Sequence, residues 1–333
     1  MTLATPPRRV VLGVIASVCA PWPLAGRAEA KPKQVAIVYN SIPLAELSGA
    51  EPSDRDARAF VGAMRALGWV EGRNVNLRFF SAEGRFERLP ALLAQIAKSG
   101  VDVIVAIGKA AIEAESATDT IPIVAVLPDA GSATLMGTSG RRSSNITAIT
   151  ADADALLPKR LVLLRSIAPR VSKVAILTSE GRSDTGAVEV EASARTIGVT
   201  LVWIRVDEVA RMDASLAQAL DEKVEAILVD DTRPNFVQRR TIAEFALQHR
   251  LPTVSAYPEL AEVGGLMAYD ANADETTRLL ATYVDKILKG TKPADLPVVR
   301  PAVFDLVVNA ATVRALGLSI PPSLQLRITR VIE

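Results

Sequence analysis

Residues 101–126 read VDVIVAIGKAAIEAESATDTIPIVAV, and this stretch predicts the architecture of the chain. An apolar run of strand length turns at Gly108, an alanine-rich helical segment follows over residues 110–117, and a second β-rich run spans 121–126. That order predicts a βαβ unit whose two strands are parallel and buried on both faces. In such a sheet, ligands bind after the carboxyl end of a strand, against the exposed N–H groups of the next helix. Gly108 and Lys109 therefore mark a candidate site.

The same arrangement occurs a second time along the chain. Residues 224–231, VEAILVDD, correspond to 101–108, and 251–254, LPTV, correspond to 121–124. Earlier in each copy, residues 34–39 (QVAIVY) correspond to Lys173–Thr178 (KVAILT). These offsets lie between 123 and 139 residues, much longer than the roughly 20–50 residues of a solenoid repeat. A period of this length predicts two similar α/β lobes that face each other across a cleft.

The composition is that of a globular protein and narrows the possible functions. The 333 residues are 49% hydrophobic, and 38 lysines and arginines balance 37 acidic residues. A charge balance so close to neutral gives no basis for nucleic-acid binding. A single histidine and a single cysteine leave almost no material for a multi-ligand His/Cys metal site or a histidine-based catalytic triad. We therefore expect no cofactor and no catalysis of those kinds.

Residues 1–30 have the pattern of a cleaved secretory signal peptide. Arg8 and Arg9 precede an apolar run over residues 10–20, and Ala28-Glu29-Ala30 offers the small residues of a cleavage site. The run is too short for the roughly 20 residues that span a bilayer. Cys19 follows Val18, where a small residue usually precedes a lipid-bearing cysteine, so we expect a lipid-free periplasmic protein over a lipoprotein.

The coarse pattern of strands and helices predicts how the remaining chain is divided. Lobe one is expected to take residues 31–149 together with 270–297, and lobe two residues 150–269 together with 298–333. The chain should cross between the lobes near 145–150, 264–270 and 296–301. Helices are expected over residues 158–167 and 235–250 of lobe two, among others.

Polar residues follow the predicted strands of both lobes and define the candidate site. Hydroxyls, N–H groups at helix starts, a few charges and one aromatic ring suit a small polar or zwitterionic solute. We predict that the ligand contacts Asn40, Ser41, Gly108, Lys109, Ala110, Asp129, Thr178, Asp230, Asp231 and Tyr257.

Catalysis is the less favoured interpretation of these residues. The chain has no G-x-S-x-G elbow, no H-E-x-x-H helix and no complete phosphate-binding loop, because Gly108-Lys109-Ala110 lacks the upstream glycine and the hydroxyl. Asp230 and Asp231 could act as an acid–base pair, but they could equally cap the next helix or bind a ligand's ammonium group.

Long runs of the sequence resemble a known family. They include residues 64–111, MRALGWVEGRNVNLRFFSAEGRFERLPALLAQIAKSGVDVIVAIGKAA, residues 250–270, RLPTVSAYPELAEVGGLMAYD, and residues 315–327, ALGLSIPPSLQLR. The chain resembles ABC-transporter substrate-binding proteins of the tryptophan/tyrosine type, within the type I periplasmic binding-protein fold. The resemblance implies two doubly wound Rossmann-like lobes, joined by a three-crossing hinge, that enclose a ligand.

The chain departs from this family where specificity would lie. Lys109 stands where small residues are usual, residues 127–130 keep only the acid of the usual Gly-Asp-Pro-Val loop, and Ala268-Tyr269-Asp270 replaces the usual Ser-Tyr-Gly. The resemblance therefore transfers the scaffold and leaves the solute open, with an aromatic amino acid as one candidate.

The resemblance implies a monomeric receptor that closes on a small solute and delivers it to an ABC permease with its ATPase. The alternatives are a periplasmic sensing module for a signalling partner and a hydrolase of small secreted substrates. For the ligand itself, Lys109 and the helix start behind Gly108 favour a carboxylate. Asp230 and Asp231 favour an ammonium group, and Tyr257 can cover an apolar side chain. This pattern predicts a zwitterion of amino-acid size.

Overall fold

A computed structural model of the protein describes residues 1–2, 31–49, 51–127, 145–150, 153–179 and 184–333. Contacts divide the chain into two units, Met1–Lys31 and Pro32–Glu333, and the description below concerns the second unit. Most of the predicted signal segment therefore lies outside the described residues. Within the described part of the chain, no helix has the length and apolar character needed to cross a membrane.

Five parallel strands form the first sheet, in the order β2-β1-β3-β4-β5. They are β1 (Lys33–Tyr39), β2 (Val75–Ser81), β3 (Val103–Ile107), β4 (Ile123–Leu127) and β5 (Ile146–Thr150). The helices that follow them are α1 (Leu44–Leu47), α2 (Arg55–Ala66), α3 (Leu89–Ala97) and α4 (Lys109–Ala117). Alternate residues of β1 contribute to opposite cores, Val35 and Ile37 to one and Ala36 and Val38 to the other. The sheet is thus buried on both faces, as the apolar runs predict.

The second sheet has seven strands in the order β12-β11-β10-β9-β8-β6-β7. They are β6 (Lys173–Thr178), β7 (Thr200–Arg205), β8 (Ala226–Val229), β9 (Thr253–Ser255), β10 (Met267–Ala271), β11 (Phe304–Asn309) and β12 (Arg330–Ile332). All neighbours are parallel except β10 and β11. The order β7-β6-β8-β9-β10 repeats β2-β1-β3-β4-β5, so the internal repeat seen in the sequence is a repeat of topology. We call the two sheets with their helices lobe one and lobe two.

The helices of lobe two differ in two places from the prediction. They are α5 (Ala153–Ile167), α6 (Asp184–Ile197), α7 (Met212–Asp221), α8 (Arg233–Val237), α9 (Arg239–Gln248), α10 (Pro258–Glu262), α12 (Ala310–Leu316) and α13 (Pro322–Gln325). The prediction that α5 begins at Pro158 was wrong, because the helix begins five residues earlier and contains the proline. A single helix over 235–250 was also wrong, because the chain leaves helical geometry at Gln238, between α8 and α9.

The chain passes between the sheets three times, from β5 to α5, from β10 to α11 (Ala273–Leu288), and from residues 299–300 to β11. Helix α11 packs on lobe one, where Leu280 and Val284 join the core that contains Phe60 of α2. Trp69 donates its indole N–H to Asp285 Oδ1 of this helix at 2.9 Å. These contacts support the proposed assignment of α11 to lobe one, whereas Asp270 and Ala271 belong to β10 of lobe two. The exact lobe boundaries stay a prediction.

Two of the crossings are tied together by α11. The Glu275 carboxylate accepts hydrogen bonds from the N–H groups of Ala302 at 3.0 Å and Val303 at 2.7 Å. The Asn272 N–H donates to the carbonyl of Val303 at 2.9 Å. Hydrogen bonds therefore join the second crossing to the third.

Candidate functional site

The strand ends of lobe one place Asn40, Gly108 and Ala110 together. Asn40 follows β1, and its Oδ1 accepts a hydrogen bond from the N–H of Ala110 at 3.0 Å. Gly108 begins α4 with φ +60° and ψ −125°, a conformation open to glycine and strained for other residues. The first turn of α4 is therefore held by Asn40, and one of the N–H groups that the sequence offers to a ligand already has a protein partner.

Lys109 and Ser41 lie near this turn with different surroundings. The Lys109 side chain is exposed, and its ammonium group lies 5.2 Å from the centre of the Phe86 ring. Ser41 is half-buried in the loop after β1. Among the residues that the structure describes, no ion pair joins Lys109 to lobe two, so its role in binding a carboxylate stays a prediction. Asp129 lies outside the described residues.

In lobe two, Thr178 and Asp230 form one buried unit at the ends of β6 and β8. The Thr178 hydroxyl donates to Asp230 Oδ2 at 3.1 Å, and Asp230 is 6% exposed. Asn235 lies beneath them, fully buried, and its amide donates to the carbonyls of Leu177 and Asp230. Thr232 is the N-cap of α8. Asn235 was not predicted as part of this unit, because its polar character resembles that of any residue near a helix start.

Tyr257 follows β9 and begins α10 with its ring buried. It is 6% exposed and packs edge-on against Phe236, with 5.3 Å between the ring centres. Its hydroxyl group is buried and has no hydrogen-bond partner within the described part of the chain. A buried hydroxyl without a partner costs roughly 1–3 kcal/mol, so this group needs a further explanation.

Asp231 lies beside Asp230 on the open side of the site. Its side chain is exposed, yet neighbouring protein surrounds much of it. This crowding removes water and raises the pKa of the Asp231 carboxyl, and the charge of Asp230 raises it further. The structure thus brings Asp230, Asp231 and Tyr257 together.

A buried arginine, Arg160, is the main feature of this region that sequence reasoning missed. It lies in α5, is 1% exposed, and donates from Nε to the carbonyl of Tyr269 at 2.7 Å. One of its terminal nitrogens donates to Asp270 Oδ1 at 3.0 Å. A signal was present, since the charge stands at the start of the apolar run RLVLL. Arg160 supports the end of β10 where the chain leaves for lobe one.

These surroundings raise the pKa of the Asp270 carboxyl. Loss of solvation raises the pKa of its carboxyl from 3.8 to about 6, although Arg160 opposes the rise. Its side chain keeps 38% of its surface accessible, so solvent screens part of its interaction with Arg160.

We expect Asp270→Asn to change the pH dependence of stability. A raised carboxyl pKa means that the folded protein holds the proton more tightly than the unfolded chain, so this contribution is present below the ordinary pKa and is lost as the pH rises through about 6. Between about pH 4 and pH 7, the wild type should therefore lose unfolding free energy relative to Asp270→Asn. Urea titrations of both proteins across this range measure the difference, and parallel curves would contradict the assignment.

Lobe one contributes acidic groups that the sequence analysis did not select. Asp54 accepts a hydrogen bond from the N–H of Ala57 at 2.8 Å and caps α2, and Asp56 occupies the first turn. Helix α2 follows β1 in the chain, so its first turn lies toward the carboxyl end of that strand. Burial raises the pKa of the hydroxyl of Tyr39, the last residue of β1, and the charges of Asp54 and Asp56 raise it further. They were missed because the sequence does not show which helix starts face the opposite lobe.

The two lobes meet at this acidic edge. Arg55 Nη1 of α2 lies 4.0 Å from Glu259 Oε1 of α10. Protein around Asp56 raises the pKa of its carboxyl, and the charges of Asp54, Glu259 and Asp231 raise it further, while Arg55 opposes them. Among the described residues no cluster of histidine, cysteine and acidic side chains could hold a metal ion. The arrangement is a cleft with carboxylates on both walls.

Comparisons with known proteins give a consistent result. The family model described as "ABC transporter substrate binding protein" matches residues 51–332. A tyrosine-binding protein of Clostridioides difficile (strain R20291) is 19% identical over 270 residues, covering 80% of this chain and 77% of the relative.

Solved structures share the fold. A conserved domain protein from Vibrio cholerae has a TM-score of 0.75 at 24% identity, covering 90% of this chain and 100% of its own. A domain from Streptococcus pneumonia in complex with L-Trp has a TM-score of 0.75 at 20% identity, covering 91% and 100%. At these identities, the structures establish the two-lobed α/β fold, and what each binds is a property of that protein.

Proposed function

The chain belongs to the family of ABC transporter substrate-binding proteins, and we propose that it is the receptor of an ABC importer for an amino acid or a related zwitterion. The family is one of non-enzymatic ligand binders, which confirms the expectation that the chain is not an enzyme. The observation that carries the proposal is the meeting of charged groups from both lobes, with Arg55 and Glu259 4.0 Å apart across the cleft.

The amino-acid part of the proposal rests on chemistry and on relatives. Carboxylates of lobe two, Asp230 and Asp231, suit an ammonium group, and the start of α4 with Lys109 suits a carboxylate. One relative is named a tyrosine-binding protein, and one structural neighbour was solved with L-Trp. The Tyr257 ring, which was predicted to cover an apolar side chain, is only 6% exposed and packs against Phe236, so little of it can contact a solute.

Capture is proposed to occur by closure of the two lobes around the solute. The three crossings are the only covalent links between the sheets in the described part of the chain, so a rotation there changes the width of the cleft. A solute that contacts both lobes favours the closed form by the difference in its affinity for the two forms. The permease with its ATPase would then recognise the closed receptor.

The proposed location and state follow from the same role. We propose export through the segment 1–30 and action as a monomer in the periplasm, in contact with a membrane permease. The sensing alternative uses the same lobes but needs a signalling partner in place of the permease. Solute uptake that depends on this chain in intact cells separates the two, since a sensor would change signalling without carrying solute.

Thermal unfolding of the mature chain, residues 31–333, against the common L-amino acids and small organic acids tests the proposal. A true ligand at about 100 times its Kd should add roughly 2.7 kcal/mol to the unfolding free energy. We expect at least one L-amino acid to do so and its methyl ester or N-acetyl derivative to do less, because each loses one of the two charges. A panel in which no amino acid stabilises the protein would refute the amino-acid assignment.

A further inference from the structure

Carboxylates of the two lobes confront each other across the cleft. Asp56 projects from the first turn of α2, and the charges of Glu259 and Asp231 in lobe two both act on it. Within lobe two, Asp231 is in turn affected by Asp230 and Glu259. Like charges on opposite walls oppose closure, because they repel each other more strongly as the lobes approach.

Other acids of this region already have partners. The Asp54 side chain caps α2, Asp230 accepts from Thr178, and Asp270 pairs with Arg160. The three carboxylates that remain toward the opening, Asp56, Asp231 and Glu259, are all partly or fully exposed.

The cations near this edge offset only part of its negative charge, since Arg160 acts against the acids at Asp231 and Arg55 acts against them at Asp56. Arg160 is engaged by Asp270 and the carbonyl of Tyr269, and Arg239 lies 4.7 Å from the centre of the Phe236 ring. Arg55 reaches Glu259 only at 4.0 Å, and its side chain is 56% exposed. The local excess of negative charge is therefore a property of the described cleft edge.

A second feature points to a ligand at the same place. The hydroxyl of Tyr257 is buried without a hydrogen-bond partner among the described residues, although the ring is 6% exposed. Tyr257 follows β9, which pairs with β8, so it lies beside the end of the strand that carries Asp230 and Asp231 and two residues before Glu259. Such a group gains most from a ligand that supplies the missing hydrogen bond.

We propose that this edge binds a cationic group of the solute between Asp56 on lobe one and Asp231 and Glu259 on lobe two, with the Tyr257 hydroxyl as a further partner. The solutes favoured are amino acids or amines with a net positive charge. This inference rests on the proposed function and specifies its substrate class. An ammonium or guanidinium group placed here converts the repulsion that opposes closure into attraction from both walls, which gives the solute its preference for the closed form.

Matched pairs of solutes test the charge preference. L-lysine and L-norleucine share a four-carbon side chain, to which lysine adds a terminal ammonium group. L-arginine and L-citrulline differ in the charge of the terminal group. By calorimetry on the mature chain, we expect the cationic member of at least one pair to bind about ten- to a hundredfold more tightly, as charge-assisted hydrogen bonds would give.

Substitutions test whether the residues of this edge cause the preference for a cationic solute. Glu259→Gln should weaken the cationic solute about tenfold and its neutral partner by less than about threefold. Asp231→Asn should weaken both members of a pair, because Asp231 also suits the α-ammonium group that every amino acid carries. Glu244→Gln is the matched control, since Glu244 is an exposed acid of α9. Tyr257→Phe should weaken the cationic solute while the empty protein keeps or gains thermal stability, because the lost hydroxyl had no partner.

The possible results distinguish the cation preference from the proposal that the chain is an amino-acid receptor. Neutral members that bind as tightly as their cationic partners would overturn the cation preference and leave the amino-acid receptor standing. Loss of stability in Tyr257→Phe with unchanged affinity would assign the hydroxyl a structural role and would also overturn it. Failure of all four solutes to bind, while another amino acid of the thermal panel stabilises the protein, would overturn the cation preference alone. Failure of the whole amino-acid panel would overturn the receptor proposal together with this one.

Discussion

Replacing Arg160 by methionine is expected to lower the free energy of unfolding by about 3 kcal/mol. The guanidinium group is 1% exposed and holds both the Tyr269 carbonyl, at 2.7 Å, and the Asp270 carboxylate, at 3.0 Å. Methionine fills a similar volume, but it leaves a buried carbonyl and a partly buried carboxylate without their donor. We place the effect at the low end of the usual 3–5 kcal/mol for a broken buried pair, since the Asp270 side chain is 38% exposed and water can reach it.

A double variant and a neighbour make this prediction specific. Arg160→Met with Asp270→Asn should recover about 1 kcal/mol or more, because the unpaired charge is removed with its partner. Lys159→Met is the control, since its exposed ammonium group lies over the Phe304 ring at 5.3 Å and is worth no more than about 1 kcal/mol. Urea denaturation of the four proteins gives the values, and equal losses at positions 159 and 160 would contradict the role of the buried pair.

Part of the fold could be predicted from the sequence, and part could not. The β strands were predictable because fully buried parallel strands are continuous apolar runs, and the repeat of those runs gave the repeated strand order. The start of α5 was not, because Pro158 is usual in the first turn of a helix and here lies further inside it. The break at Gln238 leaves no equivalent signal, since Arg233–Val237 and Arg239–Gln248 have compatible helical patterns.

The residues of the candidate site could also be predicted only in part. The positions of residues directly after strands, such as Asn40 and Asp230, could be predicted because the strand ends locate them, and their role in binding stays a prediction. Asp56 and Glu259 lie on helix starts whose approach depends on how the lobes are placed, and Arg160 reaches its partners from the middle of a helix. Such long-range pairings have no period or motif in a single sequence.

Gly108→Ala is expected to destabilise the protein by about 2–4 kcal/mol and to weaken ligand binding in the fraction that remains folded. The backbone at Gly108 has φ +60° and ψ −125°, a conformation that costs a residue with a Cβ atom roughly 1–3 kcal/mol. An added Cβ would also lie 2.5 Å from Asn40 Nδ2, closer than such contacts allow. Asn40 cannot move away freely, because its Oδ1 accepts the Ala110 N–H at 3.0 Å and so fixes the first turn of α4.

Two further variants separate strain from steric conflict at Gly108. Gly198→Ala introduces a Cβ at φ +69° with no atom within 4 Å, so only the backbone term applies, about 1–2 kcal/mol. Adding Asn40→Ala to Gly108→Ala should not restore stability fully, because the clash is relieved while the N–H of Ala110 loses its acceptor. If Gly108→Ala cost no more than Gly198→Ala, the close approach of Asn40 would not constrain this turn. A larger loss at Gly108 would show that the turn between β3 and α4 depends on both the absence of a side chain and the carboxamide that faces it.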